Sequence, residues 1–69
     1  MKVALIGLSF GGAFAEIYKA HPQVEELIVF DTNKELEATF RCRLGIQREY
    51  GSFEAILADP QIDAVHLVT

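Results

Sequence analysis

The sequence holds a single cysteine, Cys42, which excludes an internal disulfide and is compatible with a reducing compartment. Basic residues are few, six Lys and Arg against ten Asp and Glu, and apart from Arg41, Arg43 and Arg48 they are scattered. The electrostatic footprint of a nucleic-acid binder is therefore missing. No apolar run is long enough to span a bilayer, and Met1 is followed at once by Lys2 and a strand-like stretch, with no separate secretory h-region. These features point to a cytoplasmic chain with neither a membrane nor a nucleic acid as partner. No cluster of His, Cys, Asp and Glu has metal-ligand spacing. There is no internal linker, repeat or low-complexity segment, and 69 residues make at most one small domain of marginal stability.

What is present is ordinary globular composition, 51% hydrophobic and 23% charged, which predicts a packed core rather than disorder. The most informative stretch is Gly7-Leu-Ser-Phe-Gly-Gly12, which follows the apolar run Val3 to Ile6 and precedes a helical stretch, Ala13 to Ala20. A strand, a tight glycine turn and a helix start aim backbone N–H groups and the positive end of a helix dipole at one spot, a combination that favours phosphate or pyrophosphate.

The remaining chain reads as alternating strands and helices. Val3 to Ile6 is apolar without alternation, as in a strand covered on both faces of a parallel sheet. Phe10, Ala13, Phe14 and Ile17 recur at helical spacing and predict the buried stripe of the first helix, which ends near His21-Pro22. Leu27 to Phe30 is a second buried strand that stops at Asp31. Thr32-Asn33-Lys34-Glu35 fits a capping box, with Thr32 as the cap of a second helix, Leu36, Phe40 and Leu44 as its buried stripe, and Gly45 as its left-handed end. Gln47 to Tyr50 predicts a short, polar edge strand. Ser52 caps a brief third helix that buries Phe53, Ile56 and Leu57 and ends at Asp59-Pro60, and Ala64 to Val68 is a fourth strand. This order predicts an α/β fold, a partial Rossmann fold whose parallel sheet has strand order 3-2-1-4 and carries three helices. In that topology the outer edge of the fourth strand is apolar and unpaired, so residues 1–69 are expected to form the N-terminal half of a doubly wound domain, or to cover that edge with another copy through Val65 and Leu67.

In the dinucleotide fingerprint G-x-G-x-x-G the first glycine makes the turn, the second admits the pyrophosphate and the third lets the helix pack closely. Gly7 and Gly12 match the first and third, and Ser9 stands at the second. A serine there either donates a hydrogen bond to a phosphate oxygen or holds the ligand slightly away, and the sequence leaves both open; Gly11 keeps the backbone accessible. Asp31, at the end of the second strand, is placed to accept from the adenosine ribose 2'-OH and to repel a 2'-phosphate, which predicts NAD in preference to NADP. The competing reading has Asp31 merely capping the next turn.

Gly7 to Gly12, Ala15-Glu-Ile-Tyr18, Val29-Phe-Asp-Thr-Asn33, Ser52 to Pro60 and Ile62-Asp-Ala-Val-His-Leu-Val-Thr69 together resemble the amino-terminal part of the glucose-fructose oxidoreductase and inositol dehydrogenase family, Gfo/Idh/MocA. The resemblance covers nearly the whole chain. It is most specific at the Asp-Ala-Val strand running into Thr69, the family's fourth strand. It implies NAD(P)-dependent hydride transfer at a hydroxyl-bearing carbon of a sugar, polyol or related small molecule. It places Gly7, Ser9, Phe10, Gly11 and Gly12 in the pyrophosphate loop, Asp31 and Thr32 at the adenosine ribose, and Thr69 on the cofactor wall. The family's catalytic lysine, in a Glu-Lys-Pro stretch, and its Asp-x-x-x-His pair have no match here, so the substrate domain is expected to be absent and these residues not to catalyse. A reading of a different class has the same loop serve a non-catalytic dinucleotide sensor. His21 at a helix end, His66 on a strand and Cys42 between two arginines read as scaffold.

Overall fold

The computed structural model describes residues 1–68. Among them three strands form one parallel sheet: β1 (Lys2–Ile6), β2 (Glu26–Phe30) and β3 (Ala64–Leu67), in the order β2-β1-β3. Lys2 stands opposite Glu26 and Ile6 opposite Phe30, while Val3 stands opposite Ala64 and Ile6 opposite Leu67. The strands thus end together, while β3 begins one residue later than its neighbours. Three helices complete the chain, α1 (Leu8–Ala20), α2 (Lys34–Leu44) and α3 (Phe53–Ala58).

The central strand is buried on both faces, as its unbroken apolar run predicts. Val3 and Leu5 face α1 and α2, where they join Leu8, Ala15, Leu27, Val29 and Ile46, with Leu36, Phe40 and Leu44 packed alongside. Ala4 and Ile6 face the other way and meet Ile28, Phe30 and Ile56 of α3. A side chain of Leu5's size contributes about 2–3 kcal/mol when removed from water this completely.

Three local expectations are corrected. Gln47 to Tyr50 forms no strand; the run is held instead by side chains, with Arg48 Nε 3.6 Å from Glu26 Oε2 and Arg48 Nη1 donating to the Tyr50 hydroxyl at 3.0 Å. Four polar-rich residues have little apolar surface to bury against β2, so ion pairs decide their path. The sheet among the described residues therefore has three strands rather than the four of the order 3-2-1-4.

The second correction concerns α2, whose cap is Asn33 rather than Thr32: the Asn33 side chain accepts from Leu36 N at 3.1 Å. Asp31 Oδ1 accepts from Asn33 N at 2.8 Å, and this turn delays the helix by one residue. The capping box is lost with it, because Leu36 now stands where Glu35 was expected.

The third concerns α1, which starts at Leu8 and turns the expected stripe outward. Phe10 is 81% exposed and Ile17 61%, while Leu8, Gly11, Gly12 and Ala15 are buried. The helix is apolar on both sides, so periodicity alone does not choose; closeness of approach does, and the small residues win the inner face. Leu57, expected inside, is also exposed. By contrast Gly45 ends α2 with φ 69°, and Ser52 caps α3 by accepting from Ala55 N at 3.1 Å, as the sequence predicts.

Candidate functional site

The C-terminal ends of β1 and β2 meet at the glycine bend. Gly7 has φ 93° and ψ 96°, a backbone region that side chains disfavour, and its N–H donates to Phe30 O at 3.0 Å. A Cβ at Gly7 would run into the carbonyl oxygen of Val68, the residue after β3. Gly11 fits beneath the Val68 side chain, where a Cβ would lie 3.0 Å from its Cγ2. At Gly12 a Cβ would collide with the Phe40 ring of α2. The third fingerprint glycine therefore serves the packing of α1 on α2.

The first three amide groups of α1 have no carbonyl within the helix to donate to. That of Leu8 is satisfied by Asp31, whose Oδ2 accepts it at 2.7 Å. Those of Ser9 and Phe10 find no acceptor among the described residues. Both residues are exposed, and the first turn carries no acidic side chain of its own. The N-terminus of this 13-residue helix is thus open and electropositive, and can take an anion.

Asp31 does two things at once. Its Oδ2 reaches back to the bend, and its Oδ1 caps the turn into α2, as the capping reading of this residue expects. Each oxygen retains a lone pair for a further donor. Thr32 lies beside it with an exposed side chain, and Thr69 falls outside the described residues. Gly7, Ser9, Phe10, Gly11, Gly12 and Asp31 are accordingly brought to one end of the sheet.

Sequence reasoning passed over Glu37, which is buried to 1% exposure in the first turn of α2. Its Oε1 accepts from Asp31 N at 3.1 Å and lies 3.6 Å from Lys34 Nζ, and its Oε2 lies 3.7 Å from Arg41 Nε. The signal was available: Glu37 and Arg41 are four apart and adjoin the stripe Leu36, Phe40 and Leu44. Lys34 Nζ also stands 4.4 Å above the Phe30 ring at the end of β2.

Away from this corner, His66 Nδ1 is 2.7 Å from the Tyr18 hydroxyl, and the His21 ring accepts from Gln23 N at 3.1 Å; both histidines are engaged in the scaffold. Cys42 is exposed on α2. Among the described residues no group of three His, Cys, Asp or Glu side chains could hold a metal ion, and no helix is long and apolar enough to cross a membrane.

The comparison that decides the family is a match to its model, described as an oxidoreductase family with an NAD-binding Rossmann fold, over residues 1–69. The chain belongs to the Gfo/Idh/MocA family. No curated protein and no solved structure matches it. The Gfo/Idh/MocA match is to the family's NAD-binding Rossmann fold.

Proposed function

We propose that this chain binds NAD and serves hydride transfer between the nicotinamide and a hydroxyl-bearing carbon of a sugar, polyol or related small molecule. The observation that carries the cofactor assignment is the bond from Leu8 N–H to Asp31 Oδ2, which ties the glycine bend to the acidic end of β2. On this reading the diphosphate lies over the first turn of α1, taking the N–H groups of Ser9 and Phe10 and the Ser9 hydroxyl. Gly7, Gly11 and Gly12 keep that turn close to the sheet and to α2. Asp31 accepts from the adenosine ribose with the lone pairs that Leu8 and Asn33 leave free, and Thr32 flanks it; Thr69, outside the described residues, is assigned a cofactor role by the family resemblance alone. A 2'-phosphate would set negative charge against Asp31, so NAD is preferred over NADP.

The bound cofactor supplies the hydride chemistry; these residues supply its placement and its choice. None of them is assigned to catalysis, and residues 1–69 act as the N-terminal half of a dinucleotide-binding domain that works with a separate substrate domain in the cytoplasm. Where a second copy rather than a following strand covers β3, which among the described residues pairs on one side only and exposes Val65 and Leu67, the chain assembles with itself through that edge.

Calorimetric titration tests the cofactor assignment. Heat on adding NAD, with a weaker response to NADP, is expected; no heat and no thermal shift at millimolar NAD contradicts it.

A further inference from the structure

We propose that Glu37 is a positioning and specificity-determining residue for the nucleotide ribose, a buried partner of Asp31 in the choice of NAD over NADP. The inference rests on the NAD reading above and deepens it. Burying a carboxylate is costly unless it is paired and hydrogen-bonded, and at 1% exposure Glu37 has two functions that could repay that cost.

The first is positional. Glu37 Oε1 accepts the Asp31 N–H at 3.1 Å, which fixes the main chain at the end of β2. The Asp31 side chain is then held by Leu8 N at 2.7 Å and Asn33 N at 2.8 Å. Three bonds thus set the carboxylate that reads the ribose.

The second is electrostatic. The turn after Asp31 carries Lys34 to the end of β2, over the Phe30 ring, where an ammonium would otherwise face a 2'-phosphate. Glu37 Oε1 stands 3.6 Å from Lys34 Nζ and occupies that cation. Arg41, 3.7 Å from Glu37 Oε2 and 3.0 Å from Glu49 Oε2, supports the opposite side of the buried carboxylate. One acidic side chain thereby holds the acceptor for a 2'-hydroxyl and withdraws the donor for a 2'-phosphate.

Glu37→Gln separates these functions, because the amide oxygen still accepts from Asp31 N while the charge that holds Lys34 is gone. Dissociation constants for NAD and NADP are measured on the unaltered chain, E37Q, K34A and the E37Q/K34A pair, with circular dichroism to verify folding. E37Q is expected to leave NAD affinity within about twofold and to tighten NADP about fivefold, and K34A in that background to erase the gain. K34A alone is expected to leave both affinities unchanged, because Glu37 already occupies that cation; a loss of NADP affinity in K34A would show Lys34 free for a 2'-phosphate and overturn the inference even if E37Q unfolds. Equal NAD-to-NADP ratios in the unaltered chain and folded E37Q overturn the role of Glu37 and leave the NAD reading standing. An unaltered chain that takes neither dinucleotide overturns both.

Discussion

Leu8 and Asp31, 23 positions apart, are joined by a 2.7 Å hydrogen bond from the amide of one to Oδ2 of the other. The bond gives α1 the N-terminal acceptor that Gly7, without a side chain, does not supply. Asp31→Ala is therefore expected to act twice. It lowers stability by about 1 kcal/mol through the lost cap, and it weakens NAD binding by about tenfold or more through the lost charged acceptor. Chemical denaturation and calorimetry on the same sample check both, and unchanged NAD affinity would remove Asp31 from the site.

Gly7→Ala tests the bend itself. At φ 93° an alanine is strained, and its methyl meets the Val68 carbonyl, so α1 and the segment after β3 must separate. A loss of about 2 kcal/mol or more in urea unfolding is expected. Wild-type stability would mean that the bend relaxes without cost.

The polar clamp formed by Tyr50, Asp59 and Arg48 makes stability depend on pH. The Tyr50 O–H donates to Asp59, and this bond, followed by those from Gln61 N and the Arg48 charge, holds the Asp59 carboxyl below its ordinary value. Burial first and the Asp59 bond second push the Tyr50 hydroxyl up. A depressed carboxyl stabilises above its unfolded value and loses that contribution as pH falls through the folded one; a raised phenol stabilises below its unfolded value and loses that contribution as pH rises through the folded one. Tyr50→Phe is thus expected to cost stability mainly between about pH 4 and pH 10, with the difference from the unaltered chain narrowing at both ends. Thermal unfolding across that range checks it, and a difference independent of pH would assign the loss to packing.

Much of this architecture was legible in the chain because single residues carried it. Gly45 and Ser52 act locally, at the left-handed end of α2 and the cap of α3, and tertiary contacts do not override them. The strands β1 and β2 were legible because a continuous apolar run has few other uses. The misread parts depend on partners distant in sequence. Which face of α1 turns inward is settled by Val68 and Phe40 closing on Gly11 and Gly12, and the cap of α2 moves to Asn33 because Asp31 has already taken its amide. Glu37 was hidden because a glutamate in a first helical turn is ordinarily solvated; its burial follows from the amide of Asp31 on one side and Arg41 on the other.

The free edge of β3 bears on assembly. Val65 is 39% exposed and Leu67 55%, on a strand with a single neighbour among the described residues. Sedimentation is expected to show concentration-dependent self-association that Leu67→Lys suppresses, since a charge on an edge strand discourages further pairing. A folded monomer at every concentration, with or without the substitution, would contradict assembly through this edge.

The central claim is that a diphosphate sits on the first turn of α1 while Asp31 holds the ribose, and amide-resolved NMR during NAD addition tests it most directly. The account predicts that the largest shifts fall on the amides of Ser9 and Phe10, with a second group at Asp31 and Thr32, and little change at the opposite end of the sheet around Lys2 and Glu26. Shifts absent from Ser9 and Phe10, or centred elsewhere, would contradict it.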